Sequence, residues 1–342
     1  MKQIEIDKPV NIIDSRGFTV NLGWAKSPFF LYNDSSLIVP HGIISSFDKY
    51  IIFSNSFMFV FELCNNGDFG FLNVTAVSLL DKHILSKNIR VLFPMEDLTL
   101  PPSSETGSVK FMHKNNLLEF IIMEKNTRII KIDIPQIGHN RRLRGEVVLI
   151  EPPNAQSVYT LSSWQSENRK FKFLRCSPWW IVEGVMQFEN TDMAFYKDRA
   201  WGIFYWNRIV RPKSDIHYWA AGCGLYNGRQ ISFNLGYGTD NFVFGTENAF
   251  FIDGVLYKLE LVTFQISPVS LLKPWNFTSN DKCLEMTFFP LQEHYHSHYI
   301  FFRSDVTHQI FGFFSGRLTL TDGSIVYFNK ITGITELRKT KH

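Results

Sequence analysis

The chain has 342 residues with a net charge of +3, and 15% of the residues are aromatic, Phe alone supplying 33. This aromatic content excludes intrinsic disorder, and 21 Gly and 14 Pro exclude a collagen-like chain. The positive charge forms no basic stripe, because the one cluster, Arg141, Arg142 and Arg144, is followed at once by Glu146. We therefore expect a folded protein without a nucleic-acid partner.

Residues 1–9 mix charged and isolated apolar side chains, so they lack a signal-peptide core, and no stretch reaches the ~18–20 apolar residues of a membrane span. The four cysteines, Cys64, Cys176, Cys223 and Cys283, are scattered without a CxxC pair. Such thiols suit a reducing compartment. The sequence predicts a cytoplasmic protein with no membrane span.

Strand patterns dominate the first half, as its many aromatic residues favour. Residues 50–63 place Phe57, Phe59 and Phe61 at alternate positions of a pleated strand, and the turn 65–68 leads to a partner strand over 69–77. Residues 110–111 and 117–123 flank the turn 113–116, which predicts a second hairpin. Residues 81–91 could hold a few helical turns, although their apolar spacing is imperfect.

In the second half, three dipeptides separate apolar segments: Asn227-Gly228, Asp253-Gly254 and Asp322-Gly323. Asn-Gly and Asp-Gly tolerate the positive φ of type I′ turns, so they predict an antiparallel meander of hairpins. No alternation of strands and helices suggests a parallel sheet. The polar, Pro-containing segment 151–154 predicts a boundary between two β-rich domains, 1–154 and 155–342.

The sequence has no GxxxxGK[ST], HExxH or GxSxG motif. Gly222-Cys223-Gly224, followed by Gly228, only loosely resembles a dinucleotide loop, and close strand packing at the glycines is the better interpretation. His294, His296 and His298 alternate, so two could grip a metal from one strand face, but their segment is polar and favours a solvated strand face or loop. We predict neither a cofactor nor a metal.

The densest polar constellation lies between residues 204 and 248. Inward-pointing charges on strands must be paired or line a wet cavity. Arg208 or Arg211 could clamp an anionic group or neutralise Glu247, His217 could shuttle a proton, and Trp219 could stack on a ring. An internal ion-pair network capped by Trp packing is an equally open interpretation. We expect Arg208 and Glu247 to lie within ion-pair reach, directly or through one intermediary.

These motifs resemble the family named domain of unknown function 2804. The matching segments are Gly23-Trp24-Ala25-Lys26-Ser27-Pro28, Tyr32-Asn33, Trp206-Asn207-Arg208, residues 217–222, Asn234-Leu235-Gly236, Thr246-Glu247-Asn248, Asp253-Gly254, residues 311–316, and Gly333 with Glu336. Two positions depart from the family pattern: Tyr205 stands where Asp is usual, and Cys176 where Lys is usual. If either charged residue does chemistry in relatives, this chain has altered it.

The family pattern is similar to a wider group of tandem lipocalin-like proteins that includes carotenoid hydratases, tocopherol cyclases and certain Diels–Alder cyclases. The resemblance implies an all-β fold of two lipocalin-like antiparallel β-barrels packed together, with a small-molecule ligand in a barrel or between the barrels. This step is an analogy at the level of the fold, which does not fix function.

The resulting hypothesis is an isomerase, hydratase or cyclase that binds an organic substrate in an aromatic-lined cavity. His217 and Glu247 are the acid–base candidates, with Arg208 orienting the substrate or stabilising charge. The ligand-binding candidates are Trp24, Trp206, Arg211, Trp219, Asn234 and Asn248. Two alternatives stay open: a lipid or metabolite carrier that uses the same cavity, and a carbohydrate-active enzyme for which Glu247 supplies one carboxylate and no second is evident.

Overall fold

The structure is a computed structural model, and it describes residues 3–33, 44–94, 98–124, 126–138, 141–164, 167–210, 212–238, 243–300 and 303–341. These residues form β-strands and no α-helix, so none of them belongs to a helix long and apolar enough to cross a membrane. The strands are β1 (Val10–Asn11), β2 (Gly23–Ala25), β3 (Phe30–Leu31), β4 (Ile44–Ser54), β5 (Phe57–Asn65), β6 (Phe69–Ser78), β7 (His83–Leu92), β8 (Val109–His113), β9 (Asn116–Ile122), β10 (Thr127–Ile137), β11 (Arg141–Ile150), β12 (Val158–Trp164), β13 (Glu167–Phe188), β14 (Thr191–Phe195), β15 (Ala200–Val210), β16 (Ser214–Tyr226), β17 (Arg229–Gly238), β18 (Ala249–Ile252), β19 (Val255–Lys258), β20 (Val262–Gln265), β21 (Trp275–Ser279), β22 (Leu284–Ile300), β23 (Arg303–Thr319) and β24 (Ile325–Lys341). The predicted all-β class is confirmed.

The hairpins predicted from turn residues are also confirmed: β5–β6, β8–β9, β16–β17, β18–β19 and β23–β24 are antiparallel pairs. Asn227 and Asp253 adopt φ of 50° and 52°, and the glycine after each also has positive φ. Two successive positive φ values are what a type I′ turn requires. Local turn chemistry therefore determined these connections.

Two expectations for the first half are wrong. Residues 50–63 do not form one strand, because Ser54 Oγ accepts a hydrogen bond from the Phe57 amide at 2.9 Å and closes a turn between β4 and β5. Residues 81–91 are not helical, because strand β7 pairs antiparallel with β6 from His83 to Leu92. The neighbouring strand supplies the backbone hydrogen bonds that a helix would have made internally.

The chain folds into two compact units. Unit 1 comprises Met1–Leu31, Gln156–Pro178 and Val210–His342, and unit 2 comprises Tyr32–Ala155 and Trp179–Ile209. The chain crosses from one unit to the other between residues 155 and 156, just after the Pro-containing segment 151–154. The chain also crosses between the units at residues 31–32, 178–179 and 209–210, and the sequence does not predict these crossings. The last two lie inside strands β13 and β15, where no linker composition marks them.

Unit 2 is built on the strand order β7-β6-β5-β4-β15-β13-β11-β10-β9-β8, to which β13 contributes its second half. Strand β7 at one edge contacts β10, so the sheet curls. Its core is aromatic: Phe59 stacks with Phe61 at 5.8 Å between ring centroids, and Tyr50 stacks with Phe204 at 4.7 Å. Packing of this kind accounts for much of the Phe excess.

Unit 1 contains a nine-stranded sheet in the order β19-β18-β17-β16-β24-β23-β22-β21-β20, and β20 contacts β17, so this sheet also curls. Beside it, β12 pairs with β2 and with the first half of β13. The apolar face of the sheet packs around Phe314, whose ring lies 4.8 Å from Phe233 and 4.5 Å from Phe288. The two curled antiparallel sheets are lipocalin-like, as predicted.

Candidate functional site

The second face of the unit 1 sheet is polar and largely buried. Residues directly opposite each other in a ladder share a face, and successive residues alternate between faces. Trp219 on β16 therefore lies on the face opposite to the core residue Ala220. Two rows of cross-strand partners follow the register over β16, β24, β23 and β22: Trp219, Glu336, Gln309 and His294, then His217, Arg338, Thr307 and His296.

Three ionisable side chains of unit 1 meet at this face. Lys172 comes from the first half of β13, His217 from β16, and Glu247 from the segment before β18. Glu247 Oε1 lies 2.9 Å from Lys172 Nζ and 2.9 Å from His217 Nε2, and the two nitrogens are 3.0 Å apart. We call Lys172, His217 and Glu247 the charged triangle.

The triangle keeps Glu247 ionised. Burial alone would raise the pKa of this carboxyl, but the charges of Lys172 and His217 and their hydrogen bonds lower it well below its ordinary value. The side chains of Lys172 and Glu247 are 5% and 2% exposed, whereas His217 is 16% exposed. His217 is thus the member that can reach a bound molecule.

A hydrogen-bond chain fixes the other carboxylate oxygen. Asn234 Nδ2 donates to Glu247 Oε2 at 3.1 Å and to the Glu247 carbonyl at 2.9 Å, while Asn234 Oδ1 accepts from Trp219 Nε1 at 2.7 Å. The amide orientation of Asn234 is therefore set by Trp219 on one side and Glu247 on the other. With both oxygens held, the carboxylate has one orientation.

Gly236 on β17 provides the space for this carboxylate. A Cβ at position 236 would lie 2.3 Å from Glu247 Oε1, well inside contact distance. The Gly236 amide also donates to Asn248 Oδ1 at 2.7 Å, which ties the segment carrying Glu247 to the strand. The motifs Asn234-Leu235-Gly236 and Thr246-Glu247-Asn248 are thus two halves of one structural feature.

Trp24 lies beside the same segment. The Lys258 ammonium is 5.7 Å from the centroid of the Trp24 ring, and it donates to Thr246 Oγ1 and to the carbonyls of Asn248 and Leu259 at 2.7–2.8 Å. Burial lowers the pKa of Lys258 well below its ordinary value, although the nearby charge of Glu247 opposes this. Lys258 is a second lysine of this region that the sequence did not single out.

Lys172 is the main residue that sequence reasoning missed. The family comparison drew attention to Cys176, which departs from a usual lysine. Residues 172 and 176 are an even number of positions apart on β13 and so share a face. Burial, and then the charge of Glu247, raise the pKa of the Cys176 thiol well above its ordinary value. The cluster therefore contains a lysine on the same strand face as Cys176, two pleat repeats away from it.

The predicted pairing of Arg208 with Glu247 stays a prediction, and a carboxylate that the structure places beside Arg208 is that of Asp48. Arg208 belongs to unit 2, where Nη1 donates to Asp48 Oδ1 at 2.8 Å and to the Asn207 carbonyl at 2.7 Å. Its guanidinium lies 4.3 Å from the Trp206 ring centroid, which also places Trp206 in unit 2. Arg211, the remaining candidate, lies outside the described residues.

The three alternating histidines lie on strand β22, and His298 is buried, so the expectation of a solvated segment is wrong for that residue. His298 is the register partner of Asp305, whose carboxylate is bound by Arg338, with Nε 3.0 Å from Oδ1. Among the described residues, no three His, Cys, Asp or Glu side chains are placed to share a metal ion.

The Gly222-Cys223-Gly224 segment is the interior of strand β16, as the close-packing interpretation expects. A Cβ on Gly222 would lie 2.6 Å from the Phe233 ring. Glycine therefore admits an aromatic side chain of the adjacent strand.

Unit 2 contains a trio of similar construction. Glu62 Oε1 lies 2.8 Å from Lys49 Nζ, and Glu62 Oε2 accepts from Asn73 Nδ2 at 2.7 Å. All three side chains are buried. A Lys–Glu–Asn arrangement thus occurs in each unit, and in unit 1 the imidazole of His217 is added to it.

The family described as domain of unknown function (DUF2804) matches residues 3–342. The chain belongs to this family. Among solved structures, that of CghA matches with a TM-score of 0.54 at 10% identity, covering 89% of this chain and 93% of that chain. The structure of CghA with Sch210972 matches with a TM-score of 0.53 at 10% identity, covering 87% and 88%.

The ATTH-like protein NE1406 from Nitrosomonas europaea matches with a TM-score of 0.51 at 10% identity, covering 86% of this chain and 91% of that chain. No curated protein matches the chain. At this identity the structural matches show a shared fold. They agree with the tandem lipocalin-like architecture inferred from the motifs of the DUF2804 family.

Proposed function

We propose that this DUF2804 protein is an enzyme that isomerises, hydrates or cyclises a small organic molecule, with His217 as its general acid–base. The observation behind the proposal is the convergence of Lys172, His217 and Glu247 within about 3 Å of one another on the polar face of unit 1. Groups of this kind, placed to exchange protons, are typical of catalytic sites.

The geometry of the imidazole supports a proton-transfer role. Nε2 of His217 is held by the triangle, whereas Nδ1 makes no hydrogen bond to any described residue. With the Nε2 proton donated to Glu247, Nδ1 carries the lone pair that acts as the base. The carboxylate then stabilises the imidazolium that forms, as the acid does in a catalytic triad.

Lys172 sets the charge balance of the site. One ammonium beside one carboxylate gives zero net charge while His217 is neutral, so proton uptake by His217 adds one positive charge next to Glu247. An unprotonated Nε2 could instead accept from Lys172 Nζ. The ring with a proton on Nε2 thus bonds to Glu247, and the ring without one bonds to Lys172. Neither state requires the ring to move, which keeps reorganisation during proton transfer small.

The polar face offers donors and acceptors to a substrate that carries oxygen atoms. The fold supports a small-molecule substrate, since CghA, which has this fold, was crystallised with Sch210972. A pure carrier needs no charged triangle, because apolar burial alone retains an apolar ligand. These points favour an enzyme over a carrier.

One observation favours a carbohydrate-active enzyme as the second candidate. Glu336 lies directly opposite Trp219 in the register and is therefore on the same face, where Gln309 Nε2 donates to its Oε1 at 2.7 Å. It would be the second carboxylate that the sequence did not reveal. Hydrolysis of a glycosidic bond would distinguish this candidate by its two sugar products.

The test begins with native mass spectrometry of freshly purified protein, which reveals a co-purifying ligand by its mass. Binding and conversion of that ligand are then measured separately on the native protein, on His217→Ala and on His308→Ala. His308 is a matched control, since its Nδ1 lies 2.6 Å from Glu293 Oε1 on the opposite face of the sheet.

We expect His217→Ala to bind the ligand but to lose about 10²-fold or more in turnover, the usual contribution of a general acid–base. His308→Ala should turn over the ligand like the native protein. Native protein that binds the ligand and leaves it unchanged from pH 5 to 9 would favour the carrier. Undiminished turnover by His217→Ala would remove His217 from the mechanism.

A further inference from the structure

Unit 2 contains an apolar cavity of about 210 Å³ that the charged triangle does not use. It begins where strands β5, β6 and β7 place Phe59, Ala76 and Leu85 side by side in one row of the sheet. The small Ala76 between two large side chains leaves a hollow. Ile137, Leu143, Phe188 and Met193 form further walls.

The hollow is held open by packed aromatic rings. Phe59 is fixed by the stacked ring of Phe61 at 5.8 Å and by the edge of Phe195 at 5.8 Å between centroids. Protein interiors pack at the density of organic crystals and leave few voids larger than a water molecule. An apolar cavity of this size is therefore a candidate binding site.

The size of the cavity limits its occupant. An apolar cavity of about 150 Å³ in another protein stays free of water and takes up benzene. In proportion to the six non-hydrogen atoms of benzene, about 210 Å³ encloses roughly eight such atoms, and the exposed end at Asp81, His83 and Thr191 leaves room for a few more. Water is a poor occupant of the apolar part of the cavity, because it needs polar partners that Phe59, Leu85 and Met193 do not offer.

The polarity of the cavity is confined to one end. The next row of the sheet consists of Phe57, Ser78 and His83, and Asp81 and Thr191 complete that end. Ser78 Oγ donates to Asp81 Oδ2 at 3.0 Å. Among the described residues that line the cavity, none is Lys or Arg, so a carboxylate or phosphate would meet Asp81 without a compensating cation.

We propose that unit 2 binds a neutral, largely apolar molecule of one fused ring system or short chain, with a hydroxyl group at the end formed by Asp81, His83 and Thr191. The hydroxyl donates to the carboxylate, and the remainder packs against Phe59, Leu85 and Met193. This site is separate from the proposed acid–base centre, since all of its lining residues belong to unit 2.

The probe is 2-naphthol, which has eleven non-hydrogen atoms and is neutral at pH 7, with 2-naphthoate as the anionic comparison. Binding to the full-length protein is measured by calorimetry. Thr191→Trp fills the polar end of the cavity. Asp192→Trp is the matched control, because residue 192 is exposed and points to the opposite face of β14. Ala76→Leu fills the hollow from the sheet side.

We expect 2-naphthol to bind with one-to-one stoichiometry, and 2-naphthoate to bind at least about tenfold more weakly. Thr191→Trp and Ala76→Leu should each weaken 2-naphthol binding by about tenfold or more, whereas Asp192→Trp and His217→Ala should leave it unchanged. If Thr191→Trp does not fold, the binding of 2-naphthol by Ala76→Leu still tests whether the cavity is the binding site. The proposal is overturned if the native protein does not bind 2-naphthol, if both filling variants bind it normally, or if 2-naphthoate binds as tightly.

Discussion

The two Lys–Glu–Asn trios allow a sharp test of the charged triangle. In each, a buried carboxylate lies 2.8–2.9 Å from a lysine Nζ, and an asparagine amide donates to its second oxygen. Glu247→Gln and Glu62→Gln make the same change of one atom, each beside a buried lysine and an asparagine amide. We expect both variants to lose stability equally and only Glu247→Gln to lose turnover.

The expected loss in the free energy of unfolding depends on the lysine that each variant leaves without its carboxylate partner. Removing one partner of a buried ion pair costs about 3–5 kcal/mol, because the other charge remains uncompensated. The cost has a ceiling, since the lysine can release its proton instead. From an ordinary lysine pKa near 10.4, neutralisation at pH 7 costs about 3.4 units at 1.36 kcal/mol each, or about 4.6 kcal/mol.

The same ceiling falls to about 2 kcal/mol at pH 9. In the variants, a buried lysine that releases its proton binds fewer protons folded than unfolded, so their stability rises with pH in this range. The difference in free energy of unfolding between native protein and either variant should therefore shrink from pH 7 to pH 9. Urea unfolding at both pH values measures it.

Turnover separates the two sites. Glu247→Gln cannot stabilise the imidazolium of His217, and we expect a loss of about 10²-fold or more per folded molecule. Glu62→Gln should retain native turnover once corrected for its folded fraction. Equal losses in both variants would mean that the effect comes from stability alone, and native turnover in Glu247→Gln would refute the triangle as an acid–base centre.

Three further outcomes are expected. Gly236→Ala should displace the Glu247 carboxylate, because its Cβ would meet Oε1. We expect a loss of about 1–3 kcal/mol in the free energy of unfolding and a lower turnover. An unchanged turnover would contradict the role of Oε1 in holding His217. The triangle lowers the pKa of Glu247 against the effect of burial, so native stability should fall as the pH drops below about 4.5 towards the lowered value. Urea titrations of Glu247→Gln should show a smaller loss over the same range, because other carboxyl groups, such as Asp305, remain; an equal loss would contradict the lowered pKa. Burial raises the pKa of Cys176 and Cys223, whereas Cys283 is partly exposed. Iodoacetamide should therefore label Cys283 first, which peptide mass spectrometry measures. Early labelling of Cys176 would contradict its buried position.

Local signals in the sequence predicted the strands and hairpins well. The Asn227-Gly228 and Asp253-Gly254 turns depend only on their own backbone conformations, so their structure is readable from a dipeptide. The segment 81–91 was ambiguous because strand β7 depends on its partner β6, and a partner strand is not a local property.

Long-range pairing was the part that the sequence could not supply. Arg208 and Glu247 fall in the same motif-rich run of the sequence, which suggested an ion pair, but they belong to different units. Arg208 pairs with Asp48, 160 residues away in the chain. Sequence proximity was a poor guide to which charges meet.

Lys172 left no local signal of its role. Phe171 and Phe173 flank it, so the period-2 pattern places Lys172 and Cys176 on the face opposite to both rings. The alternation alone predicts that the Phe face packs in the core and that Lys172 faces solvent, so it gives no reason to expect a buried lysine. Its partner Glu247, 75 residues further along the chain, could not be identified in this way.

The Lys49–Glu62–Asn73 trio of unit 2 is the reference against which the ion pair of unit 1 is judged as evidence for catalysis. Lys49, Glu62 and Asn73 show that this fold buries a lysine–carboxylate pair as part of its construction, so such a pair is weak evidence for chemistry. What is added in unit 1 is His217, whose Nε2 is fixed by the pair and whose ring is the most exposed part of the cluster. The proposed function therefore depends on the histidine, and the matched variants at Glu62 and Glu247 measure what it adds.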